Sequence, residues 1–435
     1  MVSSIVLAAA VAACADQGDG QLRLDRGKFL IGTYSQWRNV QTDAHAKDMA
    51  EAGIDYVFGP IDSKNLDNFA RHGVGVIRTG CLPWWWGGAA EVTNGQMHVM
   101  RPLKMYEEAM DRFEDHPAIV GIDIGDEPSG LDFEHYGKIA KLVARRRPDK
   151  FTYVNLFPNY ASAASLTRSE AQSQLGTPDY RSYIERYCRC FDLDYICFDS
   201  YIWGWGNTPS VLFENLRIVG DACTATARSL WVVLQANVYK EGDKVGKRPI
   251  TENMLRFQAH AAMAFGAEMI SWACWTGWWT DNVCDEQGRR TAQFERVKAV
   301  NRELHALGAH TIGYRRTVTD FVGFDKSPNG LKGVLQGPID ASNGPVFRDV
   351  KTADGAALLV GHFLAKNGSG RHAIFLATCD DPHDAGGKDH VVSFRADGRA
   401  LRAYGPRGEV ALSKSADGTC TVALRSNAAL FVEAE

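Results

Sequence analysis

The 435-residue chain is short of several features that would place it at once. It has no basic excess. Its 48 Lys and Arg stand against 52 Asp and Glu for a net charge of −4, and no long run of one sign interrupts them, which argues against a nucleic-acid surface or a charged interaction tail. No Gly-rich turn follows its first strand-like segment, so a dinucleotide or phosphate cradle is excluded there. No Cys-x-x-Cys pair or His cluster has zinc spacing, and no Ser-His-Asp order appears. No metal or cofactor is expected. Apolar runs of membrane length are also missing. Cysteine is present ten times, but with Cys14 set aside the number is odd, so not all can pair within the chain. Cys188 and Cys190, two apart in a helical pattern, point to different faces. Most of the thiols read as small core residues, with Cys274 and Cys284 the pair that would bridge a loop.

The apolar segment Ile5–Cys14 is too short to span a bilayer. Small residues precede Cys14 and a polar stretch follows it, as at the end of a secretory signal. Val11-Ala-Ala-Cys14 resembles a bacterial lipobox, although no Lys or Arg stands ahead of it. The resemblance implies a signal segment over 1–14, a linker over 15–27, and an exported periplasmic or cell-envelope lipoprotein. Its one membrane contact would be a lipid on Cys14.

From residue 28 a rhythm sets in: a short apolar run, a polar loop, an amphipathic helix. Strands are predicted over Lys28–Trp37, Asp55–Gly59, Val74–Thr79, Ile119–Gly125, Phe151–Leu156, Asp194–Tyr201, Leu230–Val238 and Met269–Thr276. Helical patterns separate them, several ended by Gly or Pro. Such a series of strand-then-helix units across 28–315 predicts an α/β fold, a (β/α)8 TIM barrel. An open doubly wound sheet would want the missing Gly-rich turn. After residue 315 helical periodicity stops. Short alternating runs such as Ala357–Phe363, Ala373–Ala377 and Cys420–Leu424, with Asn367-Gly-Ser-Gly370 between two of them, predict a C-terminal all-β sandwich over 316–435. That region holds no Trp and no cluster of catalytic residues, so its expected role is packing against the barrel.

In a barrel of this kind the chemistry lies at the C-terminal strand ends. The fourth predicted strand runs Val120-Gly-Ile-Asp-Ile-Gly-Asp-Glu-Pro-Ser129 and delivers two adjacent acids that are costly to bury unless used. Taken alone, Asp126 reads equally as a helix cap and Glu127 as a surface ion pair. Position changes the balance. Trp37, Trp84, Trp85, Trp86, Trp203, Trp205, Trp275, Trp278 and Trp279 fall at or just past strand ends, and a large flat ring suits the apolar face of a pyranose. Asp199 closes the sixth strand, and Asp281 and Asp285 follow the eighth. A Glu beside an Asp and walled by Trp has both a like charge and desolvation to raise its pKa. That is the demand on the proton donor in glycoside hydrolysis.

Strand 4 ending in Asp126-Glu127-Pro128 resembles the acid/base strand of clan A glycoside hydrolases, where Asn-Glu-Pro is usual. The stretches Asn155-Leu-Phe-Pro-Asn-Tyr160, Asp194–Tyr201 and Arg248–Ile270 are similar to bacterial exported proteins classed with those barrels. The resemblance implies cleavage of O-glycosidic bonds of an oligo- or polysaccharide or glycan, with Glu127 as general acid/base. One departure matters: clan A enzymes carry a nucleophilic Glu at the end of strand 7, where this chain has Gln235 and Asn237. The adjacent Asp126-Glu127 pair is also similar to substrate-assisted β-N-acetylhexosaminidases, in which the Asp orients the substrate's own acetamido group. An inverting pair of Glu127 with Asp199 or Asp281 is the third option. The expected catalytic residues are therefore Glu127, Asp126 and Asp199. The expected carbohydrate contacts are Asn155, Tyr201, Gln235 and Asn237, with Trp37, Trp84, Trp85 and Trp275 as walls. The competing expectation is a non-catalytic carbohydrate-binding barrel that lacks a strand-7 nucleophile.

Overall fold

The computed structural model describes residues 14–16, 21–89, 94–203, 208–238, 240–241, 244–245, 249–277, 279–324, 339–384, 386–396 and 398–435. Trp205 and Trp278 lie outside them. Eight strands form one parallel sheet: β1 Leu30–Ser35, β2 Tyr56–Gly59, β3 Gly75–Arg78, β4 Ile119–Asp126, β5 Phe151–Asn155, β6 Tyr195–Ser200, β7 Ser229–Gln235 and β8 Ala267–Thr276. The strands run in the order β5-β4-β3-β2-β1-β8-β7-β6. Around the sheet lie α1 Asp43–Glu51, α2 Leu66–Arg71, α3 Leu103–Asp111, α4 Phe133–Arg146, α5 Tyr180–Cys190, α6 Pro209–Thr226, α7 Glu252–Ala264 and α8 Ala292–Thr311. Polar residues start several of them: Thr42, Asp179, Thr251 and Thr291 each accept a backbone N–H of the first turn, satisfying a donor the helix cannot pair itself.

The sheet closes between β5 and β6 through a side chain. The Tyr195 hydroxyl accepts from the Val154 N–H at 2.9 Å and donates to the Thr152 carbonyl at 3.0 Å. Beyond it Leu156 bridges to Phe198. A buried phenol thus stands in for the ladder where the two strands splay, pairing the Val154 N–H and the Thr152 carbonyl, which would be costly to bury unpaired. The barrel is filled by Leu30, Tyr56, Ile77, Val120, Tyr153, Tyr195, Trp231 and Met269. Residues 21–27, expected as a linker, instead cap its lower end. Leu22 joins the interior cluster and donates to the Pro117 carbonyl at 2.9 Å. The Arg26 guanidinium lies 5.3 Å over the Trp231 ring, and Trp231 stacks on Tyr195 and Phe151.

The C-terminal strands are β9 Tyr314–Val322, β10 Phe347–Thr352, β11 Leu358–Ala365, β12 His372–Thr378, β13 Asp389–Ala396, β14 Leu401–Gly405, β15 Gly408–Val410, β16 Ser413–Lys414, β17 Cys420–Arg425 and β18 Ala429–Ala434. They form two antiparallel sheets, β9-β11-β12-β18-β14-β15 and β10-β13-β17-β16. β9 and β10 escape a reading by alternation because each is bulged, between Arg316 and Val318 and between Arg348 and Lys351. A bulge moves later side chains to the other face, and the period of two is lost. The sandwich shares the barrel's core: Leu359, Phe363, Phe375 and Phe431 belong to the same apolar cluster as Leu255, Phe257 and Leu304 of α7 and α8. A Cβ on Gly361 would lie 2.2 Å from the Ala264 carbonyl of α7, so only glycine allows that approach.

The expected Cys274–Cys284 bridge is not formed; both thiols are free. Cys274 points into the barrel and Cys284 into the helix layer beside His45, so the wall of the barrel separates them.

Candidate active site

The acid-bearing turn is built by breaking strand alternation. Ile122 and Ile124 of β4 face the helix layer, and strict alternation would send Asp126 after them. The register of β4 against β5 shifts between Asp123 and Asp126. Within that shift Gly125 has φ +154° and Glu127 φ +49°. A side chain at Gly125 would meet the Tyr136 ring at 2.8 Å. The irregularity turns Asp126 and Glu127 into the barrel mouth, and a non-glycine residue in the left-handed region at a site of buried acids marks strain held for a purpose.

The chain from Trp84 to Gly88 runs alongside this turn. Asp126 N–H donates to the Trp85 carbonyl at 3.1 Å, and Trp86 pairs with Asp126 as a parallel bridge. Because this stretch is extended, its side chains alternate. The Trp84 indole N–H donates to Asp123 Oδ2 at 2.9 Å and the Trp86 indole N–H to Glu127 Oε2 at 2.6 Å. Trp85 turns the other way, packs on the helix-layer core and takes the Arg101 guanidinium on its ring at 5.6 Å. Of the three adjacent tryptophans, Trp84 and Trp86 face the acids and Trp85 does not.

Four carboxyls meet here. Asn155 Nδ2, from the end of β5, donates to Asp126 Oδ1 at 3.2 Å and to Asp199 Oδ1 at 3.1 Å. Glu127 and Asp199 lie beside each other and each shifts the other's proton affinity, which favours one shared proton over two ionised carboxylates. Asp199 and Asp123 are almost sealed, at 3 % and 4 % exposure, while Asp126 and Glu127 keep partial access through the mouth. Burial, then the charges of Asp199 and Asp126, pushes Glu127 well above the usual carboxylate range. Burial lifts Asp126 to about 6. Burial and the Asp126 charge lift Asp199 and Asp123 each to about 7. Glu127 is thus a neutral acid at a pH where its neighbours have begun to ionise, the division that acid catalysis requires.

Tyrosines complete the rim. The Tyr201 backbone N–H donates to the Tyr160 hydroxyl at 3.1 Å, and the Tyr201 ring meets Trp279 edge-on at 4.8 Å. Burial and then the Asp199 charge raise both phenols, so both stay protonated donors. Tyr34, at the end of β1, is raised by burial and then by Asp126. Among the described residues no group of three or more His, Cys, Asp or Glu is placed to hold a metal ion.

Besides Trp85, four expected contacts fall elsewhere. Gln235 is fully buried; its Oε1 accepts from the Trp203 N–H at 2.8 Å and its Nε2 donates to the Asn237 carbonyl at 3.0 Å. Asn237, also fully buried, accepts from the Cys274 N–H at 3.0 Å and donates to Asn282. Both amides fasten strand ends to loops, and their hydrogen-bonding capacity is turned on the chain itself. Trp275 is no wall of the mouth: it is sealed in the helix layer against His45 and Phe294. Trp37 is partly buried on the same layer, its N–H on Thr276 Oγ1 at 3.2 Å. Asp281 lies on the exposed surface after β8. Residues that sequence reasoning passed over are Asp123, hidden in what reads as strand interior, and Tyr34 and Tyr160, whose strand-end positions were the available signal.

No protein-family model matches the chain, and no curated protein matches its sequence. Solved structures do. One described as a glycoside hydrolase superposes with a TM-score of 0.52 at 11 % identity, covering 94 % of this chain and 92 % of its own. A family 5 glycoside hydrolase from Bacteroides vulgatus gives 0.48 at 11 % identity over 96 % and 92 % of the two chains. A glucosidase from Croceicoccus marinus gives 0.44 at 10 % over 94 % and 96 %. At 11 % identity the first of these is a likeness of fold alone, and its coverage of 94 % of this chain takes in both barrel and sandwich.

Proposed function

We propose that the protein is a glycosidase acting on O-glycosidic bonds of a carbohydrate, with Glu127 as the general acid/base. The observation that carries this reading is the Glu127 carboxyl itself. Its surroundings favour the protonated form, it is partly open to the mouth, and the Trp86 indole N–H fixes it at 2.6 Å. In the first step Glu127 gives its proton to the glycosidic oxygen as the bond to the anomeric carbon breaks. In the second it takes a proton from the incoming water. Asp126, held by Asn155, is the charge that faces the developing oxocarbenium ion. Trp84, Trp86, Trp279 and Tyr201 supply flat faces and hydroxyl partners for sugar rings.

Glu127 and Asp199 each shift the other's proton affinity directly, the relation of two groups that share a proton, whereas the carboxyls of an inverting pair stand roughly 6.5–9.5 Å apart with a water between them. Asp199 is therefore read as the proton-sharing neighbour of Glu127. With amides at the end of β7, the nucleophile that best fits is the substrate's own 2-acetamido oxygen, oriented by Asp126. The test is to hydrolyse a panel of aryl glycosides and N-acetylhexosaminides and follow the first-formed anomer by NMR. Retention, with strong inhibition by a thiazoline mimic, is the expected outcome. Inversion would sink the acetamido scheme, and binding of sugars with no hydrolysis of any panel member would favour a non-catalytic carbohydrate-binding barrel, the reading that Gln235 in place of an acid supports.

Replacing Asp199 with Asn removes a like charge beside Glu127. The Glu127 pKa then falls, and the alkaline limb of kcat/KM moves to lower pH, by on the order of one unit. An unmoved limb would show that Asp199 does not set the acidity of Glu127. Export, and a lipid on Cys14, belong to the same proposal and rest on the Val11–Cys14 sequence.

A further inference from the structure

Asp123 lies one layer below the proposed acid and has no part in the steps just described. Its carboxylate nevertheless gathers three donors from different parts of the mouth. Oδ2 accepts from the Thr79 hydroxyl at 3.0 Å, just past β3, and from the Trp84 indole N–H at 2.9 Å, in the loop beyond. Oδ1 accepts from the Gly125 N–H at 3.0 Å, in the turn that carries Asp126 and Glu127. The side chain is 4 % exposed. Hydrogen bonds to an ionised carboxylate are about twice as strong as neutral ones, and buried donors that lose their acceptor are penalised in full.

We propose that Asp123 is the positioning residue of the mouth, a single buried carboxylate that holds the Trp84 wall and the acid-bearing turn in one register. Through Gly125 N–H it fixes the backbone kink that turns Asp126 and Glu127 inward. Through Trp84 Nε1–H it sets the plane of the ring beside them. Loss of its charge loosens both together, because a neutral carboxyl has one oxygen converted from acceptor to donor.

The grip therefore depends on pH. Burial and then the Asp126 charge lift Asp123 to about 7, so the ionised, three-acceptor form prevails above that range and is lost as pH falls through it. The groups facing Asp123 are Asp126 on β4, Tyr34 on β1, Cys81 after β3, Tyr136 on α4, Tyr153 on β5 and Tyr195 on β6. Burial raises the four phenols and the one thiol, so among these only Asp126 titrates beside Asp123 in mildly acid to neutral solution.

The kinetic part of the test rests on the glycosidase reading; the spectroscopic part does not. In the full chain labelled with 15N-tryptophan, the Trp84 Nε1–H resonance, assigned by its loss in Trp84→Phe, should move with a midpoint near neutral pH. That movement should vanish in Asp123→Asn and persist in Glu127→Gln. A pH-independent Trp84 resonance in the wild type, or one that still titrates in Asp123→Asn, overturns the proposal. Kinetically, Asp123→Asn should raise KM about tenfold, as expected for one lost charge-assisted hydrogen bond to a wall residue, and should remove the acid-side rise in KM expected of the wild type. Should Asp123→Asn fail to fold, Trp84→Phe decides: it keeps a flat ring and removes the donor. A wild-type KM in that variant would overturn the proposal.

Discussion

Glu127→Gln should lower kcat by roughly 10²–10⁴-fold on substrates with poor leaving groups, with KM changed little. The amide has the same shape, and its Oε1 still accepts the Trp86 N–H found at 2.6 Å on Glu127 Oε2. What it lacks is a proton that can be given and taken back. The loss should be smaller on activated aryl glycosides, whose leaving groups need no protonation, and that contrast separates acid catalysis from simple disruption of the mouth. The alkaline limb of the pH profile should also disappear, since burial and the Asp199 and Asp126 charges place that limb on Glu127. Steady-state rates on paired substrates, good and poor leaving group, are the measurement. Equal losses on both, or none, would remove Glu127 from the role of acid.

Gly87→Ala should be as damaging without touching a titratable group. A Cβ at this position would stand 1.6 Å from the Glu127 carbonyl oxygen, 2.6 Å from its carbonyl carbon and 3.2 Å from Pro128 Cα. All three are backbone atoms, so no rotamer change relieves the overlap. Either the loop bearing Trp84 and Trp86 withdraws or the acid-bearing turn does, and the Asp126 N–H to Trp85 carbonyl bond at 3.1 Å is lost with the movement. Forcing a methyl into such a contact costs about 1–3 kcal/mol, visible as a drop in Tm. Misplacing a reacting group by about 1 Å costs about 10²-fold in rate. The two readouts together are specific: stability falls moderately while kcat/KM collapses. A variant with wild-type kinetics would mean that the contact between the Trp84–Gly88 strip and the turn does not govern the site.

The barrel was legible because its determinants are local. Apolar runs of strand length, Gly or Pro after helices, and polar residues such as Thr42, Asp179, Thr251 and Thr291 ahead of them punctuate the chain residue by residue, and each signal depends on neighbours a few positions away. The predicted fourth strand ends within a residue of β4. The sandwich was legible where its strands alternate cleanly and obscure in β9 and β10, whose bulges disrupt the pattern.

The site itself was legible only in outline. That Asp126 and Glu127 end strand 4 and that Asp199 ends strand 6 follows from the order of elements. Which side chains turn inward does not. Trp84, Trp85 and Trp86 are chemically identical in the sequence, yet the first and third reach carboxylates and the second packs under Arg101. Gln235 and Asn237 stand at the end of strand 7 as expected, but their amides are consumed by Trp203, Asn282 and backbone atoms from other loops. Trp275 closes strand 8 and faces the helices.

The sequence by itself determined the architecture and the Asp126-Glu127 turn at its rim, because helix and strand periodicity and turn chemistry are short-range. The tertiary structure alone decided that Glu127 meets Asp199, that Asn155 stands between Asp126 and Asp199, and that Asp123 joins Thr79, Trp84 and Gly125. Those partners lie on different strands and loops. Their proton affinities and orientations arise from burial and from charges brought together across the barrel, which no stretch of sequence carries within itself.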